Sequence, residues 1–190
     1  MATITVNIQV SKARVFDEVQ KTTEYIASKA VSDQDPGAYE RIAAIDANRE
    51  QLDRYWMEAC GDAAMLLEHW TVSITSQVLS HHPELDASHD FKVTLAMPTN
   101  WPNQYANTVR EKVMSYLVTS IVTKWLLLTA PSQAEAYAEL ATGASQQITQ
   151  LMLMRQRPTM RSSGGGGTDG EGAAWNTSGI WDQSTTWTTT

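Results

Sequence analysis

"YLVTSIVTKWLLLTAPSQAEAYAEL", residues 116–140, decides how this chain folds. Its first half places Leu117, Ile121 and Trp125 four residues apart, on one face of a helix. Its second half resumes helical spacing with Tyr137, Leu140 and Ala141. Between them stands Pro131, which breaks a helix from inside but suits the first position of a new one. The stretch therefore reads as two helices parted near Thr129 and Ala130. So short a link joins neighbours that pack antiparallel.

The same periodicities extend outward. Val109 and Val113 carry the first helix back to about Asn103, and Tyr116, Val122 and Leu128 widen its apolar face. Ala144, Ile148, Leu151 and Met152 carry the second to about Met154. Upstream, a helix starting near Asp46 and reaching Trp70 lines up Leu52, Trp56, Cys60, Ala64 and Leu67. Met57 and Met65 flank that stripe, and Glu50, Asp53 and Arg54 occupy the polar side. A further helix follows Ser11, which suits an N-cap, with Val15, Val19, Thr22 or Thr23, and Ile26 on its inner face. Pro36-Gly37 ends that region.

Two segments alternate with period two. In "TITVNIQV", residues 3–10, Ile4, Val6, Ile8 and Val10 share one face. In "DFKVTLAMP", residues 90–98, Phe91, Val93 and Leu95 do the same. Lone strands are unstable, so the strand near 90–97 is the expected partner of the N-terminal one, unless a subunit interface completes the sheet. Residues 71–80 fit a helix or a strand. The expected fold is mainly α: a bundle of about four helices, a small β element and an extended C-terminal arm. The expected segments are an N-terminal strand or arm (1–10), a helical core (11–158), a Gly-rich linker (159–174) and a Trp-anchored tail (175–190).

Composition narrows function. The 190 residues carry a formal charge of −7, with 14 Lys and Arg and no basic block. That argues against nucleic-acid binding, which is led by phosphate neutralisation. No window approaches 18 apolar residues, and the start "MATITVNIQV" lacks a signal-peptide pattern, so neither a membrane span nor a leader is expected. Cys60 is the single cysteine and reads as a small core residue.

Reactive constellations are few. In "HHPELDASHD", His81, His82 and His89 sit with Glu84, Asp86 and Asp90, all of them possible metal ligands. Their spacing matches no compact ligand motif, and a solvated loop is the plainer reading. The glycine run has no following Lys-Ser or Lys-Thr and is no phosphate loop. Glu50, Asp53 and Glu58 show no pairing that would separate their pKa values for acid–base work. Lys124 beside Trp125 reads as a snorkelling stem, and "RQRP" with Arg161 as a mild positive patch. Trp101, between two prolines, fits either core packing or contact with a neighbour. The expectation is a protein that is not an enzyme and uses no cofactor or metal.

The tail is the most informative feature. Trp175, Trp181 and Trp187 are six residues apart in "WNTSGIWDQSTTWTTT", behind "SSGGGGTDGEGAA". A six-residue step returns to the same face in an extended strand but rotates by about 120° in a helix. The Thr-rich context also favours extended backbone. The expected protein-binding residues are Trp175, Ile180, Trp181 and Trp187, acting as anchors along a sheet edge or groove.

The stretches "YERIAAIDANREQLDRYWMEA", "YLVTSIVTKWLLLTAPSQAEAYAELA" and "RQRP" resemble small α-helical connector or adaptor proteins at the head–tail junction of tailed bacteriophages. They are similar especially to virion or prophage proteins of Bacteroidetes phages. The resemblance spans about residues 12–158 and lies in packing patterns rather than reactive groups. It implies a structural virion subunit, a homo-oligomeric ring in the neck, with portal or other neck and tail proteins as partners. Non-specific passage of DNA through the ring would follow, and assembly in the host cytoplasm. The alternative expectation is a non-viral adaptor that recruits a partner through its tryptophan tail.

Overall fold

In the computed structural model of the protein, the described residues are 3–31, 35–44, 48–74 and 90–156. Their order is β1 (Thr3–Val10), α1 (Lys12–Ala30), α2 (Ala38–Ile42), α3 (Arg49–Leu67), β2 (Thr71–Ile74), β3 (Phe91–Pro98), α4 (Ala106–Thr129) and α5 (Pro131–Leu153). Single 3-10 turns follow α3 and precede α4. The fold is mainly helical with a small sheet.

The two alternating segments pair. β1 and β3 run antiparallel over their full lengths, with Ile4 opposite Met97, Val6 opposite Leu95, Ile8 opposite Val93 and Val10 opposite Phe91. Residues directly opposite in an antiparallel ladder share a face. The buried faces of both strands therefore merge into one apolar layer, and Thr5, Asn7, Gln9 and Lys92 face outward. Of residues 71–80, those at 71–74 form β2, which pairs with the other side of β3 across a register irregularity between Thr71 and Ser73, and residues 75–80 lie outside the described residues. The sheet order is β1-β3-β2.

Helix α4 is the hub. It packs on α1, α2, α3, α5 and β1. Val109, Val113, Leu117, Ile121 and Trp125 are all buried, and Met114, Val122 and Leu126 extend burial around the helix. Its threonines Thr119, Thr123 and Thr129 donate their hydroxyls back to carbonyls one turn earlier, which keeps them satisfied beside apolar neighbours. A single residue, Ala130, separates α4 from α5. The two helices are antiparallel: the far end of α5 returns to the residues just before α4. There the Trp101 indole N–H donates to Leu151 O (2.9 Å), and the Gln156 N–H donates to Asn100 O (2.7 Å).

Several local expectations need correction. Leu128 and Leu140 are 69% and 58% exposed, and Met65 is 74% exposed, so they lie off the core faces. The spacing put them near the stripe, but no element covers that side among the described residues. On α3 the buried face is broader than the stripe and includes Tyr55, Ala59 and Ala63. Directly after the Pro36-Gly37 break, residues 38–42 form a short helix, α2, that the spacing did not predict. Ser11 holds the N-cap position of α1 but its side chain makes no capping bond. Asp90 does that work from the start of β3, with Oδ1 accepting from the Lys12 N–H (3.1 Å) and Oδ2 from Gln9 Nε2 (2.8 Å).

Thr23, rather than Thr22, faces the core. It is fully buried, accepts the Ala44 N–H (3.1 Å) and donates to Gln20 O (3.0 Å). The end of α2 is held as well, by the Trp125 indole donating to Ile42 O (2.7 Å). One core hydroxyl and one core indole thus supply partners for the last carbonyl of α2 and for the backbone just after it.

Candidate interaction surface

β1 is an eight-residue strand whose ladder to β3 is regular and whose other edge faces no strand among the described residues. An edge strand leaves a row of backbone N–H and C=O groups free to pair with another chain. Natural edges are commonly guarded by Lys, Pro or a bulge. "TITVNIQV" has neither Lys nor Pro, and its pairing shows no register shift. β2, at the opposite edge, is half as long and pairs irregularly. The two edges are therefore unequal, and β1 offers the longer, regular one among the described residues.

A groove of about 310 Å³ opens at the Val10 end of this strand. Its walls include Val10, Arg14 on α1, and Arg110, Glu111 and Met114 on α4, with no β3 residue. Arg14 and Arg110 both lie near the Glu111 carboxylate, at 3.8 and 3.4 Å. These side chains are about half exposed, so the ion pairs are screened and worth little to stability. The groove presents two cations against one anion beside an apolar floor.

A second exposed feature is the α4–α5 hairpin. Leu127 and Leu128 near its turn, and Leu140 and Leu153 along α5, project apolar surface outward. The contacts of α5 with other elements are dominated by α4.

The side chains singled out for chemistry take structural places. Cys60 is fully buried, and burial pushes its thiol pKa up strongly, which removes the reactive thiolate. Lys124 does more than snorkel: its ammonium lies 3.0 Å from Glu58 and 3.4 Å from Asp62, one turn apart on α3, and pins α4 to α3. Asp53 pairs at 2.8 Å with Lys12, whose side chain is only 8% exposed and whose ammonium also sits over the Phe16 ring. Trp101 is core, 2% exposed, which decides between the two readings of its loop. Arg155 folds back to donate to Met152 O and Met154 O, covering carbonyls at the end of α5.

Asp90, one of the acidic candidates for metal, is engaged in capping α1. His81, His82, His89, Glu84 and Asp86 lie outside the described residues, as do Arg157 and Arg161. Among the described residues no group of three His, Cys, Asp or Glu side chains gathers as metal ligands do. No helix there is long and apolar enough to cross a membrane. The proposed anchors Trp175, Ile180, Trp181 and Trp187 also lie outside the described residues. Sequence reading missed the groove and the open edge, because strand order is not written in either strand. The one available signal was the lack of charge along residues 3–10. Nothing among family models, curated proteins or solved structures matches this chain.

Proposed function

We propose that this chain is a structural virion subunit, a head–tail connector or adaptor that builds a homo-oligomeric ring and holds its neighbours with extended segments. The observation that carries the assembly reading is the open edge of β1: eight uncharged residues, fixed on a packed body, with one side of their backbone free of a strand among the described residues. The viral setting is supported by the likeness of the helical sequence to connector proteins. Its partners would be other copies of itself and portal, neck or tail proteins, with the virion neck as its site and the host cytoplasm as the place of assembly.

The chemistry suits such a part. A ring needs a rigid unit and a head-to-tail contact between two different surfaces. The helical body supplies the first, and the free edge of β1 would supply half of the second. An acidic chain, at −7, also suits a passage through which DNA moves without adhering. No catalytic role is assigned. Light scattering on the purified full chain, with and without neck proteins, tests the reading. The expected outcome is a closed oligomer or a stable complex with a neck protein. A clean monomer at high concentration that binds none of them refutes it.

A further inference from the structure

We propose that the free edge of β1 receives residues 175–190 of a neighbouring copy as an added strand. This rests on the assembly reading above and names the partner of that edge. Strand addition draws its affinity from main-chain hydrogen bonds and its specificity from alternate side chains seated beside the edge.

Four observations converge on this occupant. The first is electrostatic: β1 carries no charged residue and residues 175–190 carry only Asp182, so the two segments meet without the repulsion expected between chains of net charge −7. The second is the groove at the Val10 end. Its volume of about 310 Å³ reaches the lower end of the range typical of ligand pockets, enough for one indole, and Val10 and Met114 give it an apolar wall. Arg14 and Arg110 there supply a cation–π partner for the ring or a counter-charge for Asp182.

The third is where the described chain ends. Gln156 is bonded to Asn100, two residues beyond Pro98, which pairs with Thr3 at the opposite end of β1. The tether starts at one end of the sheet, and 18 residues, 157–174, follow before Trp175. Extended, they reach about 60 Å; as a Gly-rich coil they average about 25 Å. That suffices to arrive at the edge of an adjacent subunit. The fourth is pattern. Trp175, Trp181 and Trp187 fall on one side of an extended segment and Ile180 on the other. With the indoles on the helix side of the sheet, one of them can meet the groove at the Val10 end. An edge that takes a different segment of the next copy is heterologous, the kind of contact that closes into a ring, whereas β1 pairing with β1 of a second copy stops at a dimer.

The test compares the full chain with its Trp175→Ala, Trp181→Ala, Trp187→Ala variant, by sedimentation and residue-resolved hydrogen exchange. In the associated wild type, the β1 amides not bonded to β3 should be protected. In the variant, association should be lost and those amides should exchange at least 10-fold faster, while amides bonded to β3 keep their rates and report an intact fold. If the variant loses its fold, excess synthetic peptide of residues 175–190 added to the wild type gives the answer: it should dissociate the oligomer. A variant that stays associated, an oligomer untouched by the peptide, or outward β1 amides that exchange freely within the wild-type oligomer each overturns the proposal and leaves the assembly reading standing. A wild type that is monomeric throughout overturns the assembly reading itself.

Discussion

Replacing Thr23 with Val should destabilise the protein although the two side chains have nearly the same shape. Thr23 is fully buried, and its Oγ1 accepts the N–H of Ala44, itself 2% exposed. Val retains the packing and removes the acceptor. Gln20 O loses the Thr23 hydroxyl but keeps its place in the α1 ladder, so the penalty falls on one amide. An unpartnered buried N–H costs about 1–3 kcal/mol. The midpoint of that range lowers Tm by roughly 4–8 °C in a chain of this size. Thr23→Ser separates the terms: it keeps both hydrogen bonds and deletes one methyl group, worth about 0.8 kcal/mol before any cavity is counted. Urea unfolding followed by tryptophan fluorescence and circular dichroism gives both values. A Val variant within 0.5 kcal/mol of wild type, or a Ser variant less stable than the Val one, would refute the assignment of Thr23 as the anchor of residues 43–44.

Three further outcomes are expected. Asp90→Ala removes the acceptor that caps α1 and should cost about 1 kcal/mol, with faster hydrogen exchange in the first turn of α1 and unchanged exchange in α5; equal rates in that first turn would remove the capping role. Cys60 should resist a thiol reagent at pH 8 in the native protein and react only as the chain unfolds, and rapid native labelling would contradict its burial. Because the folded state holds the Cys60 proton more tightly than the unfolded chain, whose thiol has an ordinary pKa of 9.0, its contribution is complete below that pH. It is then lost at about 1.4 kcal/mol per pH unit as pH rises, and Cys60→Ala should remove that part of the slope while leaving the part due to Tyr116 and Tyr137, whose phenols burial also pushes up. Trp101→Phe should cost on the order of 1 kcal/mol for the lost bond to Leu151 O, and an unchanged urea midpoint would show that bond to be dispensable.

How legible the fold was depends on how local each signal is. The helices could be read because Val109, Val113, Leu117, Ile121 and Trp125 repeat within one segment, and Pro131 marks the break within the same window. The pairing of β1 with β3 followed from two alternating runs that each needed a partner. What could not be read is set by distant residues. Asp90 caps a helix 78 residues away in the chain, Trp125 satisfies a carbonyl 83 residues away, and neither contact leaves a periodic trace. Leu128 and Leu140 show the limit of periodicity: apolar spacing places a residue on a face, but only the surrounding elements decide whether that face is covered. Of the candidate surface, the open edge was not legible, because it depends on strand order, a property of the assembled sheet; the anchors expected from the tryptophan spacing lie outside the described residues.

The pairing of β1 with β3 also has a consequence in time. The α4–α5 contacts join segments adjacent in the chain and can form quickly, since little loop entropy opposes them. The sheet cannot. β1 occupies residues 3–10 and its partner residues 91–98, so a nascent β1 has no ladder on either side until the ribosome has added nearly 90 more residues. At a synthesis rate of about 5–20 residues per second, that wait is roughly 4–18 s. During it both edges of an uncharged, β-rich octapeptide are open. On a polysome making many copies, the strand whose free edge we propose as the contact between subunits is also the first able to pair between chains too early.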